Sequence, residues 1–173
     1  SRAGTCRPEN AVKFNSRAGA CRPGAGPRGL AMANAVLDQN CVFCKIIRGE
    51  IPCQRVYQDK HVLAFLDIQP LAPGHTVVIP RHHAEFLDQL PEDWAVAIGR
   101  TLGRLGRAVV NASGADGFNV LQNNGRAAEQ EVPHVHFHLI PRHAGDGLGY
   151  RWKAKKAAPA ELEKMAAAIT SRL

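Results

Sequence analysis

The sequence predicts an α+β fold: an antiparallel sheet of about five strands, one long helix packed on it, and a second helix near the C-terminal end. Three observations carry this. Short runs rich in Val, Ile, Phe and Tyr follow one another in meander order between turn-forming residues. Segment 91–112 repeats its apolar residues at helical spacing. Two more strand-like runs and a second helical pattern come after it, an order that suits strands and helices in separate layers.

The first strands are Gln54–Gln58, Val62–Asp67 and Thr76–Pro80, separated by Asp59-Lys60 and by the Pro70–Gly74 turn. Helix 91–112 has its punctuation in place. Pro91 suits the first helical position, where a missing N–H costs nothing, and Glu92 and Asp93 sit at the positive end of the dipole. Gly114 lies just past the end, and Trp94, Ile98, Leu102, Leu105 and Val109 make one apolar stripe. Phe118–Gln122 and Val135–Ile140 complete the strands. Residues 160–172 read as a helix with Leu162, Met165 and Ile169 on one side.

The length, 173 residues and 18.7 kDa, allows one domain plus tails. Apolar residues are 45% and charged residues 21%, which excludes a largely disordered chain. No apolar run approaches the ~18 residues of a membrane span and no basic-then-apolar start resembles a signal peptide, so a cytoplasmic location without a membrane partner is expected. The net charge of +7 divides into +5 over 1–31, +4 over 151–173 and −2 over the body between them. No basic face interleaved with aromatics accompanies it, so nucleic acid is not an expected partner. Five cysteines, at 6, 21, 41, 44 and 53, are an odd number and suit a reduced compartment better than a disulfide framework.

Residues 1–31 hold a short repeat, SRAGTCRP at 1–8 and SRAGACRP at 16–23, with dense Gly and Pro and almost no large apolar side chains. Such a segment cannot offset its ordering entropy by burial. It is read as a basic extension outside the fold, with 32–153 the folded domain and 154–173 the C-terminal helix.

All eight histidines lie between 61 and 143, and three are packed into HVHFHLI at 134–140. Alternation along a strand puts His134, His136 and His138 on one face and Val135, Phe137 and Leu139 on the other. With the apolar face toward the core, the imidazoles are expected to line a surface or cleft. Neighbouring imidazoles can share a metal, but His134 and His138 are ~13 Å apart along a strand, too far for one shell. Alternatively, one histidine acts as nucleophile or base while its neighbours orient it and bind an anion. A solvated histidine strand without a role is the bland third option.

This strand resembles the motif of the histidine triad (HIT) nucleotide-binding family, in its phosphoramidase-like branch. Four further blocks in order extend the likeness across 38–153: CVFCKIIRGEIP at 41–52, AFLDIQP at 64–70, GHTVVIP at 74–80 and LQNNG at 121–125. The resemblance implies hydrolysis of a purine nucleoside phosphoramidate by covalent catalysis, with His136 attacking the α-phosphorus and water releasing the nucleotide. It further implies that His138 contacts the phosphate or bridging atom, that His75 supports the triad and that Asn123 holds a phosphate oxygen. Backbone amides of the Gln130-Glu131-Val132 loop would help. Asp67 would accept bonds from the ribose, and Phe43, Ile46, Phe65 and Ile68 would wall the base. Plain core packing competes for Phe43, Ile46 and Phe65, and turn capping before Pro70 competes for Asp67. A homodimer through the 91–112 helix and an edge strand is implied as well. A dinucleoside polyphosphate hydrolase or phosphorylase, or a nucleotide-binding regulator with little turnover, is the alternative.

The chain departs from the family around Gln130, reading Ala128-Glu129-Gln130-Glu131 where many members have Gly before the Gln and a hydroxyl residue after it. A carboxyl there serves as proton donor if its pKa is raised, whereas a carboxylate near phosphate repels substrate, and the two alternatives leave the leaving-group preference open. The Cys41-x-x-Cys44 pair is a redox dithiol, a metal half-site or two buried thiols. The resemblance favours a structural zinc held by Cys41, Cys44, His83 and His134, with His82 the rival of His83. No metal is expected in the chemistry.

Overall fold

A computed structural model describes residues 35–149 and 155–173. The assignment of 1–31 to an extension, and both proposed boundaries at 31/32 and 153/154, lie outside those residues. Five strands, β1 Arg55–Gln58, β2 Val62–Leu66, β3 Thr76–Pro80, β4 Gly117–Leu121 and β5 Phe137–Arg142, form one antiparallel sheet in the order β1-β2-β3-β5-β4. Among the described residues three α-helices accompany it: α1 Val42–Arg48, α2 Glu92–Ser113 and α3 Pro159–Thr170. The α+β expectation holds, and β5 inserting between β3 and β4 breaks the meander.

Helix α2 follows its stripe, burying Trp94, Ile98 and Leu105 against the sheet, and Gly114 closes it at φ 67°. Pro91 is one position earlier than expected: it is the N-cap, and its carbonyl accepts from the N–H groups of Trp94 and Ala95. The middle strands alternate between two cores. Val62, Ala64, Val78 and Leu139 meet Ile98 and Leu105 of α2, whereas Leu63, Phe65, Val77 and Ile79 meet Ile46 of α1 with Phe43 and Ile47.

Helix α1 was not anticipated from the sequence. It has seven residues, too few for a 3.6-residue period to stand out. Gly49 ends it at φ 79°, donating to the Ile46 carbonyl while the Glu50 N–H reaches the Lys45 carbonyl. Of the two settings expected for the imidazoles, surface or cleft, open surface does not apply to His134 and His136: with α1 on the second face both are buried, and β5 begins only at Phe137, after both. Among the described residues, no helix is long and apolar enough to cross a membrane.

Candidate active site

Register brings the histidines together. Val77 pairs with His138 and Thr76 with Leu139, so His75, just before β3, lies beside His138 on β5. His75 Nε2 is 2.9 Å from His138 Nδ1, and the Leu71 N–H donates to His75 Nδ1 at 3.1 Å. Leu71 thus fixes the tautomer: Nδ1 of His75 is an acceptor, Nε2 carries the proton and donates to His138, and neutral His138 holds its own proton on Nε2. His136 is fixed in the opposite sense. Its Nδ1 is 2.6 Å from the His134 carbonyl, so Nδ1–H donates and Nε2 keeps a lone pair. The His136 and His138 rings are 5.1 Å apart.

Burial disfavours the charged forms of His138 and His75. It pulls His138 down to about 4, helped by His136 and His75 and opposed by Asp67. His75 is lowered by the same burial, against Asp67. Asp67 Oδ2 lies 3.7 Å from both His75 Nε2 and His138 Nδ1, while Oδ1 accepts from the Gln69 N–H. The turn-capping role is therefore real, and the second oxygen is left facing the histidines. Asp67, His75 and His138 are close enough to hold a metal ion. The proton shared by the two rings argues instead for a hydrogen-bonded chain.

Cys41, Cys44, His83 and His134 converge and can hold a metal ion. Cys41 Sγ is 3.5 Å and Cys44 Sγ 3.6 Å from His134 Nδ1, Cys44 Sγ is 3.5 Å from His83 Nδ1, and the two Nδ1 atoms are 3.3 Å apart. His134 Nε2–H donates to the Pro80 carbonyl at 3.0 Å, which leaves Nδ1 a bare lone pair aimed into the cluster. Burial pulls His134 down to about 4 and pushes the Cys44 thiol up to about 11. His82, the rival, is engaged elsewhere: its Nδ1 accepts from the Val36 N–H and its ring lies 5.2 Å from Trp94.

The other expected residues are distributed as follows. Phe43 meets Phe65 at 5.8 Å, His134 at 5.8 Å and His136 at 5.3 Å, edge to face in each case. Ile46 and Phe65 are core residues, and Ile68 is 93% exposed. Gln130 is a staple: Oε1 accepts from the Gly125 N–H at 2.6 Å, and Nε2 donates to the Glu85 and Val132 carbonyls. Its side chain is fully used, and only backbone is left there to meet a ligand. Asn123 Nδ2 donates to the Glu129 carbonyl at 3.3 Å, tying the same loop to the end of β4. Glu129 adopts φ 63°, a conformation natural to glycine, and Glu131 is exposed. Leu71, Pro80 and Glu85 were missed in the sequence because they act through backbone groups.

Similar proteins identify the family. The HIT domain model matches residues 48–145. Adenosine 5'-monophosphoramidase HNT1 of Saccharomyces cerevisiae is 42% identical over 142 residues, 82% of this chain and 87% of that protein. The crystal structure of a HIT family member from Bacillus subtilis superposes with a TM-score of 0.74 at 41% identity, covering 78% of this chain and 98% of that one. A Zn-bound histidine triad family protein from Mycobacterium smegmatis gives 0.61 at 37% identity, again covering 78% and 98%. With the family model spanning more than half the sequence and the triad assembled on the same fold, the chain belongs to the HIT domain family.

Proposed function

We propose that this protein hydrolyses purine nucleoside 5'-phosphoramidates through a nucleotidyl-His136 intermediate. The observation that carries it is the pair of opposed tautomers, a bare Nε2 on His136 beside an Nε2–H on His138. His136 Nε2 attacks the α-phosphorus as the phosphorus–nitrogen bond to the amine breaks, and His138 donates a hydrogen bond to the bridging nitrogen. The departing amine takes its proton from solvent. Water then cleaves the His136–phosphorus bond and releases the nucleoside monophosphate. Asn123 and the backbone of the Gln130-Glu131-Val132 loop hold phosphate oxygens, Asp67 accepts from the ribose, and Phe43, Ile46, Phe65 and Ile68 border the base. The name of the yeast relative supports the substrate class. Exposed Glu131 sets the leaving group, since its carboxylate repels anionic groups and tolerates amines.

The proposed metal is a structural zinc on Cys41, Cys44, His83 and His134. Bonds of about 2.3 Å to sulfur and 2.05 Å to nitrogen in a tetrahedron require edges of ~3.5 Å for S–N and ~3.3 Å for N–N. The distances of 3.5, 3.5, 3.6 and 3.3 Å match. Bound there, zinc would tie the start of α1 and the segment after β3 to His134, two residues from the nucleophile. A homodimer belongs to the same proposal, supported by exposed Phe118 and Val120 on edge strand β4. So does a cytoplasmic setting, supported by free Cys41, Cys44 and Cys53.

The test is release of AMP from adenosine 5'-phosphoramidate by wild type and His136→Ala in chelator-containing buffer. Turnover in the wild type that disappears in the variant supports attack by His136. A folded wild type without turnover both with and without chelator overturns the phosphoramidase assignment, whereas activity present without chelator and lost at once on its addition points to catalytic metal instead.

A further inference from the structure

Helix α3 is physically incomplete. It starts well, with Pro159 in its first turn and Glu161 accepting from the Ala158 N–H at 3.1 Å, but it has only 12 residues. Helices of that length are marginal in water without an apolar face to bury. Leu162, Met165 and Ile169 form such a face at spacings of three and four, and they are 59%, 60% and 56% exposed.

The same chain carries an open apolar groove of about 440 Å³. Val56 of β1 and Leu66 of β2 form one wall, and Leu105, Ala108, Val109 and Ala112 of α2 form the other. Val56 and Leu66 are substantially exposed. Ala108 and Ala112, one helical turn apart, let another helix approach closely. Arg104 is exposed one helical turn from Ala108, and its guanidinium sits 4.6 Å from the ring centre of Tyr57, the neighbour of Val56. The start of α3 is acidic, with Glu161 and Glu163 flanking Leu162.

We infer that α3 of one copy docks its Leu162, Met165 and Ile169 face into the α2/β1–β2 groove of a second copy, reciprocally. The inference rests on the proposed homodimer and specifies a contact within it. Within one chain the stripe stays more than half exposed while the groove stays open. The nine-residue step from Gly149 to Ala158 can span about 30 Å, enough to reach a neighbour. An exchange of this kind is isologous and closes at two copies. The charge complementarity is local, between Glu161 and Glu163 beside Leu162 and the exposed Arg104 one turn from Ala108.

Sedimentation equilibrium of the full chain, joined to cross-linking, tests it. The wild type is expected to be a dimer, and Met165→Glu and Ala108→Glu are each expected to raise its dissociation constant at least tenfold with unchanged circular dichroism. Should Ala108→Glu fail to fold, Met165→Glu decides, since it lies on an exposed face. Oxidation of mixed Ala112→Cys and Met165→Cys copies is expected to give a two-chain adduct that neither gives alone, and that Lys164→Cys in place of Met165→Cys does not give. A dimer that withstands Met165→Glu keeps the homodimer and overturns the α3 exchange. A double Cys variant that closes within a single chain, or a monomeric wild type, overturns it too.

Discussion

His75 Nε2 stands 2.9 Å from His138 Nδ1, and this bond across β3 and β5 decides which nitrogen of His138 carries its proton. His75 therefore works as a positioning residue. His75→Leu should lower kcat by about 10²-fold, within the range of a misplaced proton donor, with little change in KM. His75→Gln can still donate to His138 Nδ1 and should recover part of the loss. Steady-state kinetics of both variants check this; equal losses would leave His75 a packing residue.

Metal removal should act on stability before activity. Chelation, or Cys44→Ser, should lower the melting temperature, because ligand binding free energy is folding free energy in such sites. Turnover measured well below the new melting temperature should persist. Calorimetry beside an assay at low temperature separates the two effects.

Acid should destabilise the fold through His138. Its pKa falls from the ordinary 6.5 to about 4 on burial, so the unfolded chain binds the proton first. That contribution is fully present above pH 6.5 and is lost as pH falls through 4, a few kcal/mol at most because the ring is partly exposed. Urea unfolding at pH 7.5, 5.5 and 4.5 should show a shallower decline in His138→Gln than in wild type.

Backbone strain sits in the loop before the triad. Glu129→Gly should stabilise by up to about 1 kcal/mol, the left-handed penalty less the entropy glycine adds to the unfolded chain. Gly125, at φ 80° and ψ 164°, is the opposite case, and Gly125→Ala should cost about 1–3 kcal/mol. Urea midpoints of the two variants should move in opposite directions.

Leaving-group choice should respond to Glu131. Removing a carboxylate about 4 Å from an anionic group is worth ~1 kcal/mol in water. Glu131→Ser should therefore raise kcat/KM for nucleotides with anionic leaving groups about fivefold relative to the phosphoramidate. An unchanged ratio would place Glu131 away from the leaving group.

The order of residues alone determined the strands, the long helix, the histidine row and the Cys41-x-x-Cys44 half-site, because each rests on local spacing or on a residue type that does little else. Trp94, Ile98 and Leu105 showed a period, and Cys41 and Cys44 a fixed interval. Only the tertiary structure decided that α1 covers the second face of the sheet, so that His134 and His136 are buried. It alone decided that Gln130 is consumed as a staple, that His83 and not His82 turns toward the cysteines, and that His136 and His138 hold opposite tautomers. Those outcomes depend on backbone groups of Leu71, Pro80, Glu85 and His134. Every residue type carries the same backbone carbonyl, and only folding decides which one meets a given ring nitrogen.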